Sequence, residues 1–377
     1  MTGGNGSDAG ARKRLVIVAG VGRSGTSLFT TILGMAGFHI PQPEVTPDPT
    51  NPKGFGEPQW VVDFHGRLLR ERRVSVWDSR PSAFADTSAA AEDAAAFAEL
   101  RGWLAVQFVG RESVVVKDPR VGWFLPLWRR AAEDLGVEIS FASLLRHPAE
   151  GVSSALKWYG DWQTPASRTL SWVNIMAETE FTTRDDLRAF VRYDDLLADW
   201  ASEMKRVGDA LHIPVLQDMP ADVRAKIEDF VDPSLHRQKV SWDDIGVPGQ
   251  VQEIAERSWK DFTRLAVAGG DTAEHHAVLD TSREAYHRFY AEVEAMAQST
   301  IHALRPKGGA AGATTALGAG AGVARRGGGT SGADLVIRLV ERVVPPKVRR
   351  RVPPVWRSRI MRAADVAVGL AARLRRR

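Results

Sequence analysis

The chemistry of this chain is concentrated in a short turn, Gly20-Val21-Gly22-Arg23-Ser24-Gly25-Thr26-Ser27. It has the G-x-x-x-x-G frame and closing serine of a phosphate-binding loop. An apolar run precedes it, and a helix-forming stretch follows. A strand–turn–helix of this kind exposes backbone N–H groups, and the helix N-terminus adds partial positive charge, so the turn is an anion site. The version that binds nucleoside triphosphates carries a lysine after the second glycine and uses its Ser/Thr to hold Mg²⁺. Here Thr26 stands in place of that lysine, and the cation is Arg23, inside the turn. That arrangement suits a shorter anion held without a metal. The plainer reading, a glycine turn that only reverses the chain, leaves the six-residue frame between strand and helix unexplained.

A second constellation, Arg146-His147-Pro148-Ala149-Glu150-Gly151-Val152-Ser153-Ser154, follows another apolar strand. Arg146 at the strand end offers a forked donor. Pro148 suits the first residue of a helix. Ser154, one or two turns in, brings a hydroxyl to the same anion. Alone, this stretch reads as an exposed arginine and a helix-packing serine. Together with the first turn it reads as a second anion site.

These stretches resemble the sulfotransferases that use 3′-phosphoadenosine 5′-phosphosulfate (PAPS). Arg23-Ser24-Gly25-Thr26-Ser27 is similar to their 5′-phosphosulfate loop, in the arginine form of the carbohydrate-directed branch. Arg146 to Ser154 is similar to their R-x-P-x-x-x-x-x-S element, which holds the 3′-phosphate. "VVVKDPR" resembles their strand ending in Lys-x-Pro or Lys-x-His, and "VRYDDLLAD" their Tyr-Glu-Asp-Leu segment. The resemblance runs from Val16 to about Asp199 and leaves out the C-terminal part.

The resemblance implies PAPS as sulfuryl donor, with no metal. Gly22, Arg23, Ser24, Gly25, Thr26, Ser27, Arg146 and Ser154 are the implied cofactor-binding residues. Sulfuryl transfer needs cations on the transferred group and a base for the acceptor hydroxyl. Arg23 and Lys117 are the implied cations. The histidine that some members carry two residues after the lysine is Pro119 here. Carbohydrate branches with Lys-x-Pro take a glutamate from the segment after the loop's helix, which points to Glu57 in "NPKGFGEPQW" as catalytic base. Glu44, Asp63, His65 and Asp118 stay open as alternatives, and Glu57 also reads as a carboxylate favoured by a helix N-terminus. The family's adenine-stacking tryptophan is Leu28 here, and Tyr193 is a candidate on the cofactor side. Trp158, Tyr159, Trp162 and Trp172 offer aromatic faces to a sugar or apolar acceptor, although any one of them fits a core equally well.

The elements that must position these groups alternate. Strands are expected at 14–20, 113–117, 138–145 and 187–192. Helices are expected from the turn to about Gly37 and at 58–72, 88–108, 195–211, 221–230, 249–265 and 277–303. Residues 41–56 are too proline-rich for regular structure. Short apolar strands between longer helices predict a three-layer α/β/α fold around a mostly parallel sheet.

Charge divides the chain. From Leu304 to Arg377 there are 17 Lys and Arg against 3 Asp and Glu, so residues 1–303 carry a net −10 of the total +4. The expected organisation is a loose stretch at 1–13, a catalytic domain at 14–303, a Gly/Ala-rich linker at 304–332 and a basic amphipathic tail at 333–377. Such a tail suits an anionic membrane surface. An acidic body without a basic-aromatic groove argues against nucleic acid as a partner. The chain has no cysteine, which excludes disulfides and thiolate chemistry and fits a reducing compartment. No uncharged apolar stretch reaches the ~18–20 residues of a membrane span. The expectation is a cytoplasmic enzyme, peripheral on the inner face of the membrane through its tail. Its acceptor is expected to be a hydroxyl of a glycan, glycolipid or lipid-linked molecule. The competing readings are a P-loop kinase or NTPase, which lacks its lysine, and a non-catalytic nucleotide-binding or membrane-associated interaction protein.

Overall fold

A computed structural model of the protein describes residues 13–160, 162–231 and 240–304. The linker and basic tail, and all but the end of the loose N-terminal stretch, lie outside the described residues.

Four strands, β1 (Arg14–Ala19), β2 (Ser113–Lys117), β3 (Glu138–Leu145) and β4 (Leu187–Arg192), form one sheet in the order β2-β1-β3-β4. Every pairing is parallel, with Leu15 opposite Val114 on one side and Ile139 on the other. The strands read as continuous apolar runs because both faces are buried. Leu15, Ile17 and Ala19 enter one core, while Val16 and Val18 enter the other. The first core is closed by α2 (Gln59–Glu71), α4 (Ala94–Gln107), α5 (Leu125–Asp134), α7 (Pro165–Thr182) and α12 (Gly249–Leu265). The second is closed by α1 (Thr26–Met35), α9 (Trp200–Ala210) and α11 (Ala221–Phe230). This is the expected three-layer α/β/α arrangement.

Strand order decides where a ligand fits. From β1 the chain adds β2 on one side, then crosses to add β3 on the other. Loops leaving the carboxyl ends of β1 and β3 diverge at that switch point and open a crevice, the usual ligand position in open α/β sheets.

Two expected helices are subdivided. The Ala-rich 88–108 stretch is α3 (Ser82–Ser88), a 3₁₀ turn at Ala89–Ala91, and then α4. The Asp93 carboxylate accepts from the N–H groups of Ala95 and Ala96 and starts a new helix. Alanine favours helix but does not mark its ends, so the break was invisible in the alanine run. Likewise 195–211 is α8 (Tyr193–Ala198) and α9, because Asp199 caps the second through Ser202 N–H. The last described helix, α13, starts earlier than expected, at Ala273, and runs to Leu304. The proline-rich 41–56 segment carries only isolated bridges, Glu44 to Pro58 and Asp48 to Asn51. Among the described residues, no helix is long and apolar enough to cross a membrane.

Candidate active site

The turn from Gly20 to Gly25 leaves β1 and enters α1 with Gly25 as N-cap at φ 90°. The buried Ser24 hydroxyl donates back to Val21 O at 2.6 Å and locks the turn. Arg23 has φ 75°, a left-handed conformation that is uncommon outside glycine and clusters at ligand sites. Gly25 has a tertiary reason besides its φ. A Cβ there would lie 2.2 Å from Tyr193 Cδ2, because the tyrosine ring packs on the turn from the end of β4. Gly25→Ala is therefore expected to destabilise the fold by about 2–4 kcal/mol, combining left-handed strain with overpacking. Thermal unfolding measures it. Adding Tyr193→Ala should recover the overpacking share, seen as a favourable coupling in the double-mutant cycle.

The second anion motif meets this turn directly. β3 ends at Leu145, and α6 (Pro148–Tyr159) begins at its proline, as expected. His147 caps α6 by accepting the Ala149 N–H, and its Nε2 lies 3.0 Å from Glu256 Oε1. Arg146 Nη1 donates to Arg23 O at 3.1 Å, and its Nε donates to Glu150 at 3.0 Å. Arg23 Nε in turn donates to Ser154 Oγ at 3.0 Å. The Arg146 guanidinium lies over the Tyr193 ring, 5.0 Å from its centroid. Burial raises the pKa of the Tyr193 hydroxyl against the pull of Arg146, so the ring packs there as a neutral phenol.

Lys117, at the carboxyl end of β2, is 3% exposed. Its Nζ donates to the Glu57 carboxylate, to Phe55 O at 3.1 Å and to Ser27 Oγ at 3.4 Å. Ser27 also accepts from Asn51 Nδ2 at 3.1 Å, and Thr50 O accepts from Arg23 Nη1 at 3.3 Å. The proline-rich loop thus wraps the turn and delivers Glu57. Burial raises the Glu57 pKa above the ordinary glutamate value, and the adjacent Lys117 only partly offsets it. Asn51 and Thr50 were missed in the sequence. An Asn-Pro step reads as a turn signal and says nothing about a distant partner.

The alternative bases are placed elsewhere. Asp63 is exposed on α2 and accepts from Gln59, and Glu44 accepts from Gln42. His65 is fully buried: its Nδ1 is 2.7 Å from Asp118 Oδ2, and its Nε2 accepts from Trp128 Nε1 at 2.9 Å. Both ring nitrogens are occupied, so it has no access to a substrate proton. Asp118, the other carboxylate considered as base, is buried beside the lysine's strand end. Its carboxylate bonds His65 and Arg120. Burial opposes its charge, but those partners outweigh burial and hold its pKa below the usual range. Leu28 packs against the second core.

The aromatic candidates divide. Trp172 is a core residue against Trp259 and Phe262, whereas Trp158, Tyr159 and Trp162 are exposed. Trp77 and Pro119 flank Gly22, with atoms 3.8 and 3.9 Å from where its Cβ would stand. Arg168 lies between the Trp77 and Trp162 rings, 5.8 and 5.5 Å from their centroids, and bonds Gly160 O. Among the described residues, no group of three or more His, Asp or Glu side chains is arranged to hold a metal.

Two solved structures similar to this chain are sulfotransferases, the family its motifs resemble. One is the sulfotransferase domain of the Synechococcus PCC 7002 olefin synthase, with 19% identity and a TM-score of 0.40, covering 68% of this chain and 96% of that one. The other is sulfotransferase STF1 from Mycobacterium tuberculosis H37Rv, with 16% identity and a TM-score of 0.37, covering 66% of this chain and 77% of that one. No family model matches the chain. No curated protein matches it by sequence.

Proposed function

We propose that the chain is a sulfotransferase that uses PAPS to sulfate a hydroxyl of a glycan, glycolipid or lipid-associated acceptor. The observation that carries this reading is the direct joining of the two anion motifs: Arg146 bonds the Arg23 carbonyl, and Arg23 bonds Ser154. A triphosphate site needs one anion cradle with a lysine. Two adjoining motifs, each with an arginine, support instead a nucleotide phosphorylated at both its 3′ and 5′ positions.

The residues fit that group. A turn too tight for a Cβ at Gly25 leaves backbone N–H groups at the α1 N-terminus for the 5′ end, with Arg23 and Ser24 to Ser27. Arg146 and Ser154 would hold the 3′-phosphate. The bound donor supplies an activated sulfuryl group on a phosphate leaving group. With that donor bound, Glu57 would take the proton of the acceptor hydroxyl. Lys117 and Arg23 would supply the positive charge beside the transferred group. Any oxyanion that draws Lys117 away from Glu57 removes its main stabilising cation and makes it a stronger base, so anion binding and base activation are linked.

Calorimetric titration with 3′-phosphoadenosine 5′-phosphate (PAP) tests the reading. The expected result is binding without Mg²⁺ and tighter than that of ATP with Mg²⁺. The reverse order would establish the P-loop NTPase reading instead.

A further inference from the structure

We infer that the acceptor carries an oxyanion, a carboxylate or phosphate on the hydroxylated molecule, and that Arg120 binds it. This deepens the sulfotransferase reading and rests on it. Arg120 follows Pro119, which packs beside Gly22 of the anion turn, and stands three residues after Lys117.

Its position is held from behind. Asp118 Oδ1 accepts from the Arg120 backbone N–H at 3.2 Å and from Nη1 at 2.7 Å. Asp118 and His65 are fully buried, and tryptophan only donates, so Trp128 Nε1–H sets the His65 tautomer. His65 Nδ1–H therefore donates to Asp118 Oδ2. A buried carboxylate is unfavourable unless it is fully bonded. Here the line Trp128, His65, Asp118 meets that need and ends on one guanidinium.

That guanidinium is not fully used. The Arg120 side chain is 27% exposed, and among the described residues its Nε and Nη2 have no protein acceptor. The other charges near it are already paired: Lys117 with Glu57, and Asp118 with His65 and Arg120 itself. Glu57 and the Tyr159 hydroxyl lie close enough to act on its charge, which Asp118 keeps in place against burial. Tyr159 is exposed. A fixed fork with spare donors, near the base and an exposed tyrosine, matches an anionic group on a ring-bearing acceptor. A neutral sugar would leave those donors to water.

The test uses the full-length protein saturated with PAP, so that the phosphate sites are filled. Three probes share one ring: phenyl glucuronide, phenyl glucoside 6-phosphate and phenyl glucoside. Calorimetry or ligand-observed NMR is expected to give about 10–100-fold tighter binding of an anionic probe than of the neutral one. Which anionic probe binds better separates carboxylate from phosphate. Arg120→Gln should abolish the preference with PAP affinity retained, and Arg120→Lys, which keeps a cation against Asp118, should retain part of it. Equal binding of all three probes, no binding of either anionic probe, or a preference that survives in Arg120→Gln overturns the inference. If PAP itself does not bind, the sulfotransferase reading fails and takes this inference with it.

Discussion

Glu57→Gln is expected to slow sulfuryl transfer by about 10²–10⁴-fold, the usual effect of losing a general base. Glutamine keeps the shape and a hydrogen-bond acceptor for Lys117 but cannot take a proton, so PAP affinity should change little. The rate is read as labelled sulfate moved from the donor into a glycan or glycolipid extract. A variant that retains wild-type turnover would remove Glu57 as base. The pH dependence gives a second readout. The base must be ionised, so activity falls as pH drops through its pKa. Burial raises that pKa and Lys117 lowers it. Lys117→Met should therefore move the acidic limb of the profile to higher pH, besides lowering its height. A limb that stays in place would show that Lys117 does not tune the group titrating there.

Arg146→Ala is expected to weaken PAP binding by about 30-fold or more, since removing a charged partner from a phosphate typically costs 2–5 kcal/mol. The same change removes the bond to Arg23 O and leaves Glu150 without its cation, so part of the loss comes from a loosened turn. Calorimetry against PAP and against adenosine 5′-phosphosulfate, which lacks the 3′-phosphate, separates the two contributions. Loss specific to the 3′-phosphate leaves the second ligand little affected. Equal loss for both would assign Arg146 to holding the turn alone.

The Lys117–Glu57 pair puts a carboxylate beside the strand-end lysine although position 119 carries no histidine. Position 119 is filled by a proline that packs on the anion turn. The histidine that does lie nearby, His65, is enclosed behind the site and serves Asp118. A short motif reveals that a histidine is missing from its place, but not what a distant histidine is bonded to.

Much of the fold was legible because its signals are local. Each strand is an apolar run ended by a charged or turn-forming residue, and β2, β3 and β4 lie where those runs predict. The glycine frame around Arg23 marks an anion turn because φ and steric demands act on the residue itself. Pro148 marks the start of α6 for the same reason. What required the tertiary structure is every contact made across the crevice. Glu57 and Lys117 are 60 residues apart, His65 and Asp118 are 53 apart, and Arg23 and Ser154 are 131 apart. Strand order alone brings their loops to one edge of the sheet, and burial then fixes which charge pairs with which. Glu57 thus acquires a cation and a raised pKa, His65 becomes a support, and Arg120 retains donors facing outward. The sequence by itself marked two anion-type motifs, because each is a local pattern at a strand end, and the fold brings them together through Arg146 to Arg23 O and Arg23 to Ser154. Only the packing decided which side chains around them are positioned to react.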